Sequence, residues 1–215
     1  MFILTEQNSI ACHFLQGLRD IQQQGDRLKF RRNMERLGEV MAYELSKSMA
    51  YQPLEITTPL AKTVSPRIEN SPVIISVMRA AVPFYQGFIN YFDEADSGFI
   101  GAYRNDNSDG KEVDITFSYL AAPSIEGREV ILVDPMLATG KSLVTSVEQL
   151  LKNGTPKKVH IAAIIAAPEG VEYIQDSLNL PYEIWLGAMD EKLNDKAYIV
   201  PGLGDAGDLA FGPKL

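Results

Sequence analysis

The stretch EVILVDPMLATGKS, residues 129–142, decides the fold. Its apolar run at 130–133 is short and mostly β-branched, as expected of a strand buried on both faces. Beyond a loop of small, hydroxyl-bearing and glycine residues, Leu143, Val144, Val147, Leu150 and Leu151 recur at helical spacing, and Asn153-Gly154 supplies a stop. The unit is strand, loop, helix. The closing letters Thr139-Gly140-Lys141-Ser142 suggest the end of a nucleotide-hydrolase P-loop. That loop needs a glycine five positions before its second glycine, and Pro135 stands there, with no N–H and a fixed φ.

A more general phosphate site survives this test. Ser142 falls where an N-cap would, and Ala138, Thr139 and Gly140 are small enough for a ligand to approach the backbone closely. A phosphate there would meet free N–H groups and the positive end of a helix dipole. Asp134, at the carboxyl end of the strand, can hydrogen-bond sugar hydroxyls or a metal-bound water. A phosphorylated sugar suits this pairing, although an ordinary βα turn with an aspartate and a serine cap shares the same local pattern.

Composition narrows the classes. At 215 residues the chain fits one domain, 1–215, and 46% apolar with 22% charged residues is ordinary for a globular protein. A net charge of −8 argues against general affinity for nucleic acid or an anionic membrane. Cys12 is the single cysteine, so no intrachain disulfide forms. Apolar runs such as IAAIIAAP, from Ile161, fall far short of the roughly 18 residues that span a bilayer, and MFILTEQNS lacks the basic start of a secretory leader. A cytoplasmic location is expected. His13 and His160 are the only histidines; His160 sits in a strand-like run and reads as a packed residue. Cys12 and His13 are sequence neighbours and do not face each other on a helix or strand.

Residues 33–50 place Met34, Leu37, Met41 and Leu45 on one stripe of an amphipathic helix. Residues 54–58 alternate as a strand, VIISV at 73–77 reads as a buried one, and a helix starts near Pro83. A third strand, 99–103, is broken by the polar RNDNSDGKE before VDITFSYL, giving a hairpin or flap. The second half alternates: strand 130–133, helix 142–152, strand 159–166, helix 169–179, strand 182–188. Such alternation implies an α/β fold with a parallel-sheet core, flanking helices and right-handed crossovers. Ligands then bind where the loops after Val77, Tyr103 and Val133 gather.

Chemistry clusters at those strand ends. Arg79 lies beyond one strand, Arg104 beyond another and Asp134 beyond the third, and two arginines near a phosphate-type loop favour a polyphosphate ligand. The tail YIVPGLGDAGDLAFG, 198–212, holds Gly202, Gly204, Gly207, Gly212 and two aspartates. Tyr198, Ile199, Val200, Leu203 and Phe211 are too apolar for a solvated tail. An ordered loop that offers backbone groups to a flat ligand fits better.

On VDPMLATGKS, RAA with Arg79, YRND with Arg104, and YIVPGLGDAGD, the chain resembles the uracil phosphoribosyltransferases, of the type I phosphoribosyltransferase family, across nearly its whole length. That resemblance implies transfer of the phosphoribosyl group of phosphoribosyl pyrophosphate (PRPP) to uracil, giving UMP and pyrophosphate, with Mg2+. It assigns the ribose 5-phosphate part to Asp134, Pro135, Met136, Leu137, Ala138, Thr139, Gly140, Lys141 and Ser142, and the pyrophosphate to Arg79 and Arg104. Uracil would be read by backbone at Ile199, Gly204, Asp205 and Ala206, in a C-terminal hood, with Asp205 also serving PRPP and metal, the latter directly or through water. Asp205, Arg79 and Arg104 are then the expected catalytic groups. Self-association as a dimer or tetramer and an allosteric nucleotide such as GTP are further implications. The chain departs from the family pattern at Lys141, where glycine is typical, at Ala81, where the family has RAG, and at Leu209, where arginine is common. These departures keep two alternatives open: a phosphoribosyltransferase for another base, or a non-catalytic PRPP- or UMP-binding regulator.

Overall fold

The computed structural model describes residues 1–105 and 114–213, with side chains described for 1–101 and 119–213. In chain order the strands are β1 (Phe2–Ile3), β2 (Tyr51–Thr57), β3 (Lys62–Ile68), β4 (Val73–Met78), β5 (Asp96–Asn105), β6 (Asp114–Ala121), β7 (Glu129–Val133), β8 (Met136–Leu137), β9 (Lys158–Ala166), β10 (Tyr182–Met189), β11 (Lys192–Leu193) and β12 (Ile199–Val200). The helices are α1 (Ile10–Arg19), α2 (Arg27–Ser46), α3 (Val82–Ile89), α4 (Lys141–Leu150), α5 (Pro168–Ser177) and α6 (Ala206–Phe211). Among the described residues the main sheet has eight strands in the order β1-β10-β9-β7-β4-β5-β6, with β8 also paired to β9. Its pairings are parallel except β5 with β6.

Both faces of this sheet are covered, which is why its strands are near-continuous apolar runs. Alternate residues serve opposite layers. Ile74, Ile131 and Ile164 pack with α1, α2 and α3, whereas Ile75, Leu132 and Ile161 pack with α4 and α5. The Met34, Leu37, Met41 and Leu45 stripe is fully buried. α2 starts earlier than its stripe suggests, because Asp26 caps it by accepting a hydrogen bond from the Lys29 N–H at 3.0 Å. α3 lies directly on α2: a Cβ on Gly38 would come within 2.2 Å of the Phe84 carbonyl oxygen, and one on Gly87 within 2.2 Å of that of Glu35. Only bare backbone fits this crossing.

Several expectations are corrected. The strand expected at 54–58 spans 51–57 and pairs with β3, which the sequence pattern hides behind Lys62, Ser65, Pro66 and Arg67. Its alternation does not mark a core face; every residue of β2 is exposed, since this hairpin stands apart from the main sheet. The third strand runs to Asn105, so Arg104 lies within β5, opposite Ile115, rather than beyond its end. The β5-β6 hairpin is present, and its expected polar tip at 106–113 lies outside the described residues. Among the described residues no helix is long and apolar enough to cross a membrane.

His160 is fully buried at the amino end of β9. Trp185 Nε1–H donates to His160 Nδ1 at 3.1 Å, so the ring proton sits on Nε2 and meets Glu129 Oε2 at 3.0 Å. Burial holds the imidazole below its usual 6.5, opposed by the Glu129 hydrogen bond. A depressed pKa means the unfolded chain takes the proton first as pH falls. This contribution to stability is therefore present above about pH 6.5 and is lost on acidification. Thermal unfolding of the wild type should lose several degrees between about pH 7.5 and 5.5, and His160→Gln should flatten that dependence. An equally steep loss in the variant would assign the acid sensitivity to other groups.

Candidate active site

Strand order places the site. β5 lies on one side of β4, and the chain then returns across it to build β7, β9 and β10 on the other. This reversal leaves a crevice outside the carboxyl ends of β4 and β7, the usual ligand position in such sheets. Ser76 pairs with Val133 and Met78 with Gly101, so Arg79 and Asp134 emerge close together at this edge, while β5 runs on beyond Gly101 to Asn105.

Asp134 starts the loop after β7, and the Met136 N–H donates to its Oδ1 at 3.2 Å. β8 straps the loop to β9, and the Pro135 carbonyl accepts from the Ile164 and Ile165 N–H groups at 3.0 and 3.1 Å. Gly140 adopts φ +76° and is the true N-cap of α4, in place of the expected Ser142. A left-handed cap needs glycine and no side-chain acceptor, so the helix begins at Lys141. Its first N–H groups have no intrahelical acceptor; the first bond runs from Val144 N–H to the Gly140 carbonyl at 3.0 Å. An open pocket is lined by Asp134, by residues 136–140, and by Ser142 and Leu143. Pro135 and Lys141, both expected to bind, lie outside that lining. α5 braces the loop from behind, since a Cβ on Gly170 would sit 2.2 Å from the Ala138 carbonyl oxygen.

The arginine loop and the tail meet although Arg79 and Asp208 are 129 residues apart. Arg79 Nη2 donates to Asp208 Oδ1 at 3.3 Å and to the Gly212 carbonyl at 3.4 Å. A Cβ on Gly207 would lie 3.8 Å from Ala80 Cβ. Asp205 caps α6, its Oδ1 accepting from the Asp208 N–H at 2.8 Å, and is exposed. Ile199 is buried in β12, and the exposed Gly204 has φ +93°. Ala81 has φ −72°, so alanine is unstrained at this departure from the family pattern. Leu209 fills space beside Gly204, its Cδ1 lying 3.7 Å from where a Gly204 Cβ would be. The Arg104 side chain lies outside the described residues.

Asp208 was not singled out by sequence reasoning, although Asp205 and Asp208 have the spacing of an aspartate cap followed by an acidic first-turn residue. Among the described residues no group of three or more histidine, cysteine or acidic side chains could hold a metal on its own.

Comparison with known proteins bears on the family. The family model for uracil phosphoribosyltransferase matches residues 5–213. The chain is 45% identical to a uracil phosphoribosyltransferase of Porphyromonas gingivalis over 212 residues, covering 99% of this chain and 98% of that one. It is 39% identical to a uracil phosphoribosyltransferase of Pyrococcus furiosus, covering 96% and 88%. Among solved structures, the AQ2163 protein from Aquifex aeolicus superposes with a TM-score of 0.85 at 31% identity, covering 96% of each chain. With a phosphate-type loop, an arginine beside an aspartate-glycine tail, and these relatives over the full length, the chain belongs to the uracil phosphoribosyltransferase family.

Proposed function

We infer that the protein transfers the phosphoribosyl group of PRPP to uracil, giving UMP and pyrophosphate. The observation that carries this reading is the meeting of Arg79 with the Asp205–Asp208 tail beside the loop after β7. Three needs are met by three chain segments: a phosphate anchor at 138–142, a cationic group for the leaving pyrophosphate, and a backbone-lined base site at Ile199 and 204–206.

In the transfer, the bond between ribose C1 and the pyrophosphate oxygen breaks with its electron pair leaving on pyrophosphate. Uracil N1 forms the new bond to C1, and its proton passes to the departing pyrophosphate or to water. Charge builds on the leaving oxygens as positive charge spreads over the ribose, so fixed cations aimed at the leaving group lower the barrier. Arg79 suits this task because its pair with Asp208 is long and half-exposed on both sides. Such a pair is weak in water and exchanges readily for a pyrophosphate, which accepts a bidentate fork. Arg104 is proposed to act beside it.

Magnesium fits the donor set. The cation keeps several waters and takes one or two carboxylates together with substrate phosphates, so it needs no preformed protein cage. Asp205 is the carboxylate proposed to hold it, directly or through water, with one oxygen committed to the α6 cap. The metal would neutralise charge on the pyrophosphate. His160 has no part in the transfer: it is buried at the amino end of β9, away from the strand ends that carry the site. Exposed Gly204 would let uracil's edge reach the backbone, and a base lacking the matching groups would leave polar atoms unpaired. The single cysteine is in keeping with a cytoplasmic setting.

Self-association is part of this proposal, and the β2-β3 hairpin is the surface that supports it. An isolated two-stranded hairpin is marginal in water. Here it exposes Leu54, Ile56, Leu60 and Val64, held at its base by the Arg67–Glu94 ion pair. A second copy of the chain is the proposed cover.

UMP formation from uracil and PRPP should require both substrates and Mg2+, read by chromatography with a panel of other bases. Product from a different base, or PRPP binding without product, would transfer the assignment to the corresponding alternative. Asp205→Asn keeps a residue able to cap α6. It should lower kcat/KM on the order of 100-fold or more with an unchanged melting temperature, and normal turnover would remove Asp205 from the mechanism. Arg79→Ala should raise the KM for PRPP about 10- to 100-fold and leave uracil affinity nearly intact, as loss of charged hydrogen bonds predicts. Equal losses for both substrates in calorimetry would contradict this role. Leu60→Asp with Val64→Asp should reduce the mass measured by light scattering, and an unchanged mass would place any interface elsewhere.

A further inference from the structure

We propose that Arg19 and Asp190 are positioning residues for base recognition, holding the turn between Ile199 and Gly204 in the shape that reads the base. This inference rests on the assignment of that turn as the base site. Arg19 is the last residue of α1, and Asp190 follows β10 at the carboxyl end of the sheet, the end that carries the site. Asp190 is nearly buried, its side chain 4% exposed, and its own N–H donates to the Ala166 carbonyl at 2.8 Å. Arg19 grips it with both terminal nitrogens: Nη1 donates to Oδ2 at 2.9 Å and Nη2 to Oδ1.

The pair then closes around one residue. The Gly202 N–H donates to Asp190 Oδ2 at 2.9 Å, while Arg19 Nη1 donates to the Gly202 carbonyl at 2.9 Å. Both polar backbone groups of Gly202 are thus fixed by a single ion pair, buried on its Asp190 side. The next carbonyl, of Leu203, accepts from Gln24 Nε2 at 3.1 Å, and the same nitrogen also donates to the Leu18 carbonyl at 2.9 Å. Gly202 itself takes φ +65°, and a Cβ on it would lie 2.1 Å from the Ile199 carbonyl oxygen. The turn is therefore tight, allowed only to glycine, and secured on its outer side by the end of α1.

The consequence falls on the two base-reading segments. Ile199 stands immediately before the clamped turn and Gly204 to Ala206 immediately after it. Their separation is set by the path of residues 200–203. A bidentate arginine fork specifies direction as well as charge, which a lysine cannot reproduce. Displacement of a reading group by about 1 Å is enough to cost on the order of 100-fold in a reaction that depends on orientation.

The test uses the full chain as Asp190→Asn, Arg19→Lys and Arg19→Gln, with steady-state kinetics and hydrogen exchange over 198–206. Each variant should raise the KM for uracil on the order of 10- to 100-fold and the KM for PRPP by clearly less, the smaller rise coming through Asp205 in the same segment, with Arg19→Lys failing to restore the wild-type value. Exchange over 198–206 should accelerate while that of β9 stays unchanged. Equal rises in both KM values, or full rescue by Arg19→Lys, would overturn the inference. Should the wild type form no UMP, the substrate reading falls by itself, and the exchange measurement alone decides the clamp: an unaccelerated 198–206 segment in Asp190→Asn overturns it.

Discussion

A parallel sheet covered on both faces has no side left on which to carry polar chemistry, so its ends must carry it. In this chain Ile74 and Ile75, Ile131 and Leu132 alternate between two apolar layers and are fully buried. Arg79 and Asp134 are consequently displaced just beyond β4 and β7 at the carboxyl edge. The reversal of strand order between β4 and β7 then opens space at one place along that edge. The close crossing of α2 and α3 at Gly38 and Gly87 belongs to the same constraint, because α3 follows directly on the loop that bears Arg79.

Close backbone packing shapes the loops at this edge. Gly140 and Gly170 bring α5 against the loop after β7, the Pro135 carbonyl ties it to β9, and Gly202 lets the tail double back on Ile199. Glycine in these places costs conformational entropy, which the surrounding contacts offset. What is gained is access: peptide groups can face a ligand with no side chain between. A site of this kind stabilises charge by orientation and needs no titrating histidine, in keeping with the placement of His160 far from the loops.

Much of this was legible from local pattern. The run at 130–133, the helical period from Leu143 to Leu151 and the alternation of the second half gave the parallel sheet, because each rests on periodicity within a dozen residues. Arg79 and Asp134 fell at strand ends as read. Arg104 did not, since a strand paired to an antiparallel neighbour extends as far as its partner allows, here to Asn105 opposite Asp114. β3 was hidden because a solvated hairpin needs no apolar face, and its Pro66 reads as a breaker. The Gly140 cap was missed because a serine two residues later offers the commoner chemistry. Arg19 and Asp190 are 171 residues apart and meet only in the folded chain, so no window along the sequence could pair them.

The pairing of β1 with β10 carries a kinetic meaning. Phe2 lies opposite Trp185 and Ile3 opposite Leu186, so β1 cannot pair until β10 is present. α1 is in the same position, since its final residue closes on Gly202. Contacts so distant along the chain slow folding, because loop closure precedes any reward from them. The edge of the sheet and the tail are completed together, by contacts such as that of Arg19 with Gly202, 183 residues apart. Assembly of the ligand-binding edge and completion of the native topology are therefore a single late event.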